Sequence, residues 1–349
     1  MPILPKVVTH QNSLTGHVRP PGTPGARNIA PRRSGRPTLF HMIGGDGRPR
    51  MLPALPSQVD LREGFPYPPL NQAPYGVCTP CAAAALFAYL EQQSTGRAEQ
   101  LSPRFLYFVA RMLMRANVGA GYEGVEVHKV MQALVSIGAA PESFWPFDAA
   151  DTGGSFTAEP SNFVYALARN HRAQRFERID ASGPDGQHPD VWVHPEDLLA
   201  DVRTILAAKS PLILATSFVF DTTGSSISAG PLEFATKHTP GGVWPVPTDA
   251  EAKLARTVAE TGDQDLTQPL YVYSHSIVAC GYDDDKPVAY GDGSPAGKGA
   301  LLIRNSWSTD WGEGGYGWLP YQYVLQNMTE DWWRLIKTSW TPDVRQFEE

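Results

Sequence analysis

The stretch 71–91, NQAPYGVCTPCAAAALFAYLE, decides how the rest of the chain is read. It runs from a polar, turn-rich loop straight into an apolar segment, with Cys78 and Cys81 at the junction. Ala82 to Leu90 contains neither Gly nor Pro and consists mostly of Ala, Leu and aromatics. Helix formers dominate, and the run is too long for an ordinary core strand, so it predicts a buried helix. Pro80 is tolerated only in a first helical turn, which sets the helix start near Cys78. A thiol there faces the unpaired N–H groups and the positive dipole end of the helix, which favours the thiolate. The position suits a reactive thiol. It suits an inert core cysteine equally, because unbridged cysteine is among the most buried residue types.

The chain around this stretch has 349 residues, room for one large domain or two. Hydrophobic residues make up 42% and aromatics 10%, ample for a core. Charged residues, at 19%, fall below the usual quarter, and Gly and Pro number 32 each. This is the composition of a loop-rich globular protein, not of a helical bundle. The net charge of −7 conceals an asymmetry: residues 1–50 hold eight Lys/Arg against one acid, so the remainder carries −14. A basic, Pro-rich arm beside an acidic body either docks on that body or stays a solvated tail. Residues 1–12 lack the apolar region and small-residue cleavage site of a signal peptide, and no stretch reaches the roughly 18–20 apolar residues of a membrane span. Three cysteines are few and odd in number, which argues against a disulfide framework and for a reducing compartment. The expected location is the cytoplasm, or outside the cell by a route that needs no conventional signal peptide.

Taken in order, residues 1–54 read as an extended basic arm with one apolar knot at 40–43. Residues 55–63 (LPSQVDLRE) begin the folded part. The first helix stops at Thr95–Gly96, Ser102–Pro103 caps a second helix to about Arg115, and 125–137 forms a third that ends at Gly138. This helical half, about 55–150, is followed by a half of different character, about 151–335. There, 162–170 is a short helix or strand, 174–179 a strand, 182–194 a loop, 195–209 an amphipathic helix and 212–220 a strand. Residues 241–244 read as a further strand, and 247–269 as a polar insertion with a helix at 251–260. Strands are then expected at 270–273, 277–281, 300–303 and 316–319. Helices followed by a run of strands argue for an α+β fold with two lobes.

A nucleophilic thiol needs a base within hydrogen-bond reach, and the base needs a third group to fix its tautomer. Of nine histidines, His10, His17, His188, His194 and His238 fall in segments read as loops. His275 instead opens an apolar strand, SHSIVACGY, as either a capped structural histidine or a placed base. Asn305 closes another strand in RNSWSTDWGEGGYGWL. Its side-chain oxygen could bond an imidazole, with Trp307 shielding the bond from water; a structural turn asparagine is the plainer alternative.

Together these residues resemble the papain-like cysteine peptidases. The similarity lies in three blocks over roughly 55–325: Asn71–Gln72, Gly76 and Cys78 with the alanine-rich helix; His275–Ala279 with Gly281 and Tyr282; and Asn305–Trp307 with Trp311, Gly312, Gly315 and Tyr316. Residues 55–62 resemble the start of the mature enzymes. The resemblance implies a papain-like α+β fold, with a helical left lobe, a β-barrel-like right lobe and the active-site cleft between them. It implies Cys78 as nucleophile, His275 as base, Asn305 as its orienting group and Gln72 as oxyanion donor. It also implies substrate contacts from Gly76, Gly124, Val127, Tyr273, Ser274, Ser276 and Trp307, with a preference for an apolar side chain. Cys81 falls on a core position. Tyr75 and Tyr122 fall where many members carry the two halves of a disulfide. The expected partners are peptide or protein substrates and the chain's own arm over 1–54 as an intramolecular inhibitor; no cofactor, metal, nucleic acid or membrane is expected.

The chain departs from the family in several places. Thr79 replaces an aromatic, Val77 replaces a small residue, and Cys78 and His275 are 197 residues apart, against roughly 130–150 in papain and the cathepsins. The excess fits insertions around 181–194 and 245–270. The arm is about half the usual inhibitory propeptide and lacks its long helix. Three other readings compete: a thiol oxidoreductase using Cys78-Thr79-Pro80-Cys81, which lacks the preceding strand; a zinc site, which lacks ligands; and a papain-fold acyltransferase or binding protein.

Overall fold

The computed structural model describes residues 29–32, 55–72, 74–119, 123–148, 156, 158–182, 191–221, 239–262 and 270–336. Most of the arm, including the 40–43 knot, lies outside them, as do Tyr122, His10, His17, His188 and His238. The chain opens with strand β1 (Gln58–Asp60), then helices α1 (Cys78–Thr95), α2 (Pro103–Leu113), α3 (Val127–Ser136) and α4 (Asn162–Ala168). Next come β2 (Arg175–Arg178), the two-residue strands β3 (Ala181–Ser182) and β4 (Val191–Trp192), α5 (Pro195–Ala207) and β5 (Leu212–Asp221). Helix α6 (Asp249–Thr261) precedes β6 (Leu270–Ala289), β7 (Pro295–Arg304), β8 (Tyr316–Pro320), the short α7 (Gln322–Leu325) and β9 (Thr329–Ile336).

Helix α1 is hydrophobic on nearly every side, which is the signature of a helix inside a core. Leu86 and Phe87 are fully buried, and Cys78, Ala83, Ala84 and Ala88 are each at most 4% exposed. Its small residues let it pack closely on α2, α3 and β6. Gly96, in the left-handed region at φ 71°, ends the helix by donating its N–H to Gln92 O at 2.9 Å. At α2, Ser102 Oγ accepts the Phe105 N–H at 3.0 Å, the expected cap. Helix α4 touches α2: Tyr165 meets Phe105 edge-on at 5.4 Å.

The sheet has seven antiparallel strands in the order β2-β9-β5-β6-β7-β8, with β1 added on β6. Strand β6 is its axis. Along 270–279 it pairs with β5, and beyond that β1 takes over the same edge at 281–283, while β7 runs along the other edge. Several sequence expectations are corrected here. The two strands expected at 270–273 and 277–281 are one strand of 20 residues, because β5 pairs it continuously through Ser274–Ser276. His275 therefore sits inside a strand, opposite Thr216 of β5, and does not open one. The loop expected at 182–194 contains β4, which pairs with β3. Residues 240–242 form a 3-10 turn rather than a strand, because Gly241 and Gly242 both adopt positive φ. Strand β9, absent from the sequence reading, joins β2 to β5.

One hydrophobic cluster runs from Leu61 to Leu335 through both halves. No helix among the described residues is long and apolar enough to cross a membrane. Where β1 meets β6, a Cβ on Gly281 would stand 2.2 Å from Val59 O and 3.2 Å from Leu302 Cδ2. Backbone oxygen cannot yield as a flexible side chain does. Gly281→Ala is therefore expected to destabilise the fold by about 1–3 kcal/mol, read as a lower midpoint in denaturant unfolding; an unchanged midpoint would refute the β1–β6 packing.

Candidate active site

Cys78 is the first residue of α1 and is fully buried. Val77, which precedes it, makes no side-chain cap, and Pro80 in the first turn has no N–H to satisfy. The dipole end of the helix thus faces the Cys78 sulfur with no competing side-chain cap at Val77. Across the interface, the Ser276 N–H of β6 donates to Cys78 Sγ at 3.3 Å. The residue before Ser276 is His275, so the helix start and the histidine-bearing strand meet at this point.

His275 is fully buried. Its Nε2 lies 2.8 Å from Asn305 Oδ1, and the Ser306 N–H donates to that same oxygen at 2.8 Å. An atom that receives a backbone N–H must be the amide oxygen, so the neutral imidazole carries its proton on Nε2. That leaves Nδ1 as the nitrogen able to exchange a proton with a thiol. Trp307 stacks on the ring at 4.7 Å, with 20° between planes. Trp307 is itself held by Trp244 at 5.8 Å and by Trp311 edge-on at 5.5 Å. Phe218 of β5 closes the side at 6.2 Å. The His275–Asn305 bond is therefore wrapped in aromatic rings.

Gln72 reaches the same place through backbone pairing. Gln72 N–H donates to Ser306 O at 2.8 Å, Ser308 N–H donates to Leu70 O at 3.0 Å, and Asn71 bridges Trp307. The Gln72 side chain is fixed at both ends: Nε2 donates to Tyr75 O at 2.9 Å and Oε1 accepts from Ser306 Oγ at 2.5 Å. Gln72, Cys78, His275 and Asn305, far apart in sequence, are thus gathered by α1, β6 and the turn after β7.

The other residues singled out in the sequence have plain positions. Gly76 is buried in the bend before α1, and Ser276 is buried beside Cys78. Gly124 is buried, and its carbonyl accepts from Arg111 Nη1 at 3.0 Å. Val127 begins α3, fully buried in the core cluster. Tyr273 lies on β6 and stacks on Phe218 at 5.9 Å, and Ser274 is half-buried. The remaining described histidines have structural partners. His128 packs on Phe176 and Trp333, His171 lies 3.4 Å from Glu91, and His194 caps α5.

Three residues near the site were missed by sequence reasoning. Thr79 Oγ1 lies 2.8 Å from Ser276 Oγ, tying the start of α1 to β6. Ser306 supports both Asn305 and Gln72. Arg304, 5% exposed, donates to Tyr316 Oη at 2.5 Å and to Tyr67 O at 2.8 Å and lies over the Phe65 ring. A polar residue next to a suspected nucleophile was the one available signal for Thr79. All three cysteines are free thiols. Tyr75 fills its buried position by packing on Phe156 at 4.5 Å. Among the described residues, no group of three or more His, Cys, Asp or Glu could hold a metal ion.

A family model for papain family cysteine proteases matches residues 260–332, the segment with His275 and Asn305. The chain is 21% identical over 283 residues to an uncharacterized peptidase C1-like protein of Acanthamoeba polyphaga mimivirus, covering 80% of this chain and 72% of that one. It is 39% identical over 84 residues to the cysteine endopeptidase Rep1 of Oryza sativa subsp. japonica, covering 20% of this chain and 21% of that one. Among solved structures, xylellain, a cysteine protease from Xylella fastidiosa, has a TM-score of 0.60 at 20% identity, covering 94% of this chain and 97% of that one. Residues 260–332 thus match the papain family, and the chain shares the mixed helix-and-sheet fold of xylellain.

Proposed function

We propose that the protein is an endopeptidase that cleaves peptide bonds through a thioester on Cys78, with His275 as acid and base, Asn305 as its orienting group and Gln72 as an oxyanion donor. One observation carries the reading. His275 is bonded to Asn305 at 2.8 Å under Trp307, and the backbone N–H of the next residue holds Cys78 Sγ at 3.3 Å.

Cys78 gives its proton to His275 Nδ1, and the helix dipole and the imidazolium both favour the resulting thiolate. The thiolate attacks the peptide carbonyl. The Cys78 backbone N–H and Gln72 Nε2 donate to the developing oxyanion, each worth about 3–4 kcal/mol in comparable acyl transfer. An amide nitrogen has two hydrogens; Tyr75 O takes one and orients the group, and the second is assigned to the substrate. His275 protonates the leaving amine, the C–N bond breaks, and the thioester remains. Water, deprotonated by His275, then releases the acid and restores the thiol. Asn305 Oδ1 holds Nε2–H throughout. Gly76 and Gly124 are assigned to contact the substrate backbone. Val127, Tyr273, Ser274 and Ser276 would shape a pocket for an apolar side chain, with Trp307 flanking the leaving-group side.

Residues 1–54 act as a cover. Two features support this: Cys78, His275 and Gln72 are all fully buried, as in an enzyme awaiting exposure, and the described part of the arm rests on the body. Ala30 N–H donates to Trp192 O at 2.8 Å, Ile29 bridges Trp192, and Arg32 pairs with Glu196 at 2.5 Å. A chain beginning at Leu55 should cleave a fluorogenic peptide at least about tenfold faster than full-length protein, since covering a site removes its competent fraction. Equal rates would remove the inhibitory role.

Cys78→Ala should lower peptide cleavage to background, a loss of about 10⁴-fold or more, because no other group forms the covalent intermediate. Cys81→Ala should retain cleavage. The reverse result would reassign the nucleophile.

A further inference from the structure

The mechanism above leaves Cys81 unused, although it sits one helical turn from Cys78. The two occupy the first and fourth positions of α1, so their side chains leave the helix on one face. Two observations set that face against β6. Cys78 Sγ accepts the Ser276 N–H at 3.3 Å. Cys81 lines a small cavity whose other wall includes Ser276, Val278, Asn305 and Ser306. Ideal helix geometry separates the Cα atoms of such a pair by about 5 Å, inside the roughly 4.4–6.8 Å that a disulfide spans. The two thiols are also unlike: burial, and then the charge on Cys78, push the Cys81 thiol well above its ordinary range, whereas the helix start favours the thiolate at Cys78. Cys78 thus holds the form of sulfur that reacts with a peroxide, and Cys81 keeps its proton one turn along.

We propose that Cys78 and Cys81 form a reversible disulfide under peroxide, which switches the peptidase off and protects Cys78 from irreversible oxidation. The bridge stands on the geometry of α1 alone; its effect on cleavage rests on the reading of Cys78 as the nucleophile.

The step balances with a peroxide as oxidant. The Cys78 thiolate attacks one peroxide oxygen, an S–O bond forms, the O–O bond breaks, and hydroxide leaves. Cys81 sulfur then attacks the sulfenic sulfur; the S–S bond forms, the S–O bond breaks, and the hydroxyl departs as water with the Cys81 proton. The two sulfurs give up two electrons and hydrogen peroxide is reduced to water and hydroxide. A dithiol reductant reverses the change by thiol–disulfide exchange.

The test is peptide mapping by mass spectrometry of full-length protein treated with hydrogen peroxide and alkylated without reduction. The fragment with both cysteines should appear lighter by two hydrogen atoms and unalkylated, and dithiothreitol should restore both thiols. Cleavage should fall at least about tenfold with oxidation and return to within about twofold on reduction, as a reversible cap on the nucleophile requires. Cys81→Ala should cleave normally before treatment. After peroxide it should lose cleavage that dithiothreitol does not recover, with Cys78 as sulfinic or sulfonic acid. If wild-type Cys78 proceeds to those acids while Cys81 stays alkylatable, or if Cys78 bridges Cys280 or a second chain, the proposal fails. Should Cys81→Ala not fold, wild-type mapping decides alone. Because the mass shift is read without substrate, a bridge in a protein that cleaves nothing would refute the peptidase mechanism while leaving the disulfide standing.

Discussion

The first turn of α1 is pinned to the middle of β6, and the rest of the molecule is arranged to keep it there. Two contacts make the pin: the Ser276 N–H on Cys78 Sγ, and the Thr79 and Ser276 hydroxyls 2.8 Å apart. Neither is strong by itself; a typical intramolecular hydrogen bond contributes about 0.5–1.5 kcal/mol net. They persist because their surroundings are large and apolar. Leu86, Phe87 and Leu90 fix α1 from one side, and Ile277, Val278 and Ala279 fix β6 from the other, all at most 4% exposed. A fully buried Leu or Phe stabilises by about 1.5–3 kcal/mol, so few such residues outweigh the cost of holding polar groups inside.

The segments around the pin behave as a second layer. Residues 70–72 pair with 306–308, which ties the approach to α1 to the turn after β7. Ser306 serves two masters, donating its N–H to Asn305 and its hydroxyl to Gln72. Trp307 covers His275, with Trp244 and Trp311 behind it. Burying so many polar atoms is tolerable only when they satisfy one another in a fixed pattern. A fixed pattern is also what proton transfer between chosen atoms demands.

The sequence was most legible where local chemistry sets the outcome. Helix α1 and its Gly96 stop, and the Ser102 cap of α2, follow from residues that touch neighbours a few positions away. It was least legible where partners are distant. Strand β6 was split in two because polar Ser274, His275 and Ser276 interrupt its apolar run, and only the distant strand β5, paired with it from 270 to 279, shows that the strand continues. Strand β9, TEDWWRLI, carries three charged residues yet is nearly all buried, since its charges pair across to β2: Asp331 with Arg178 and Arg334 with Glu177. In the site, Gln72, Cys78, His275 and Asn305 stood out through blocks resembling a known family. Thr79, Ser306 and Arg304 did not, because their work depends on contacts made between elements far apart in the chain.

The central claim is that Cys78 is held as a thiolate beside a protonated His275. The rate of iodoacetamide alkylation at Cys78, followed by mass spectrometry across pH in wild type and His275→Ala, tests it directly. An ion pair predicts reaction that persists down to about pH 5 in wild type and is lost there in the variant. Reaction that rises only near the ordinary thiol range, about pH 8.5, and is indifferent to His275 would contradict it.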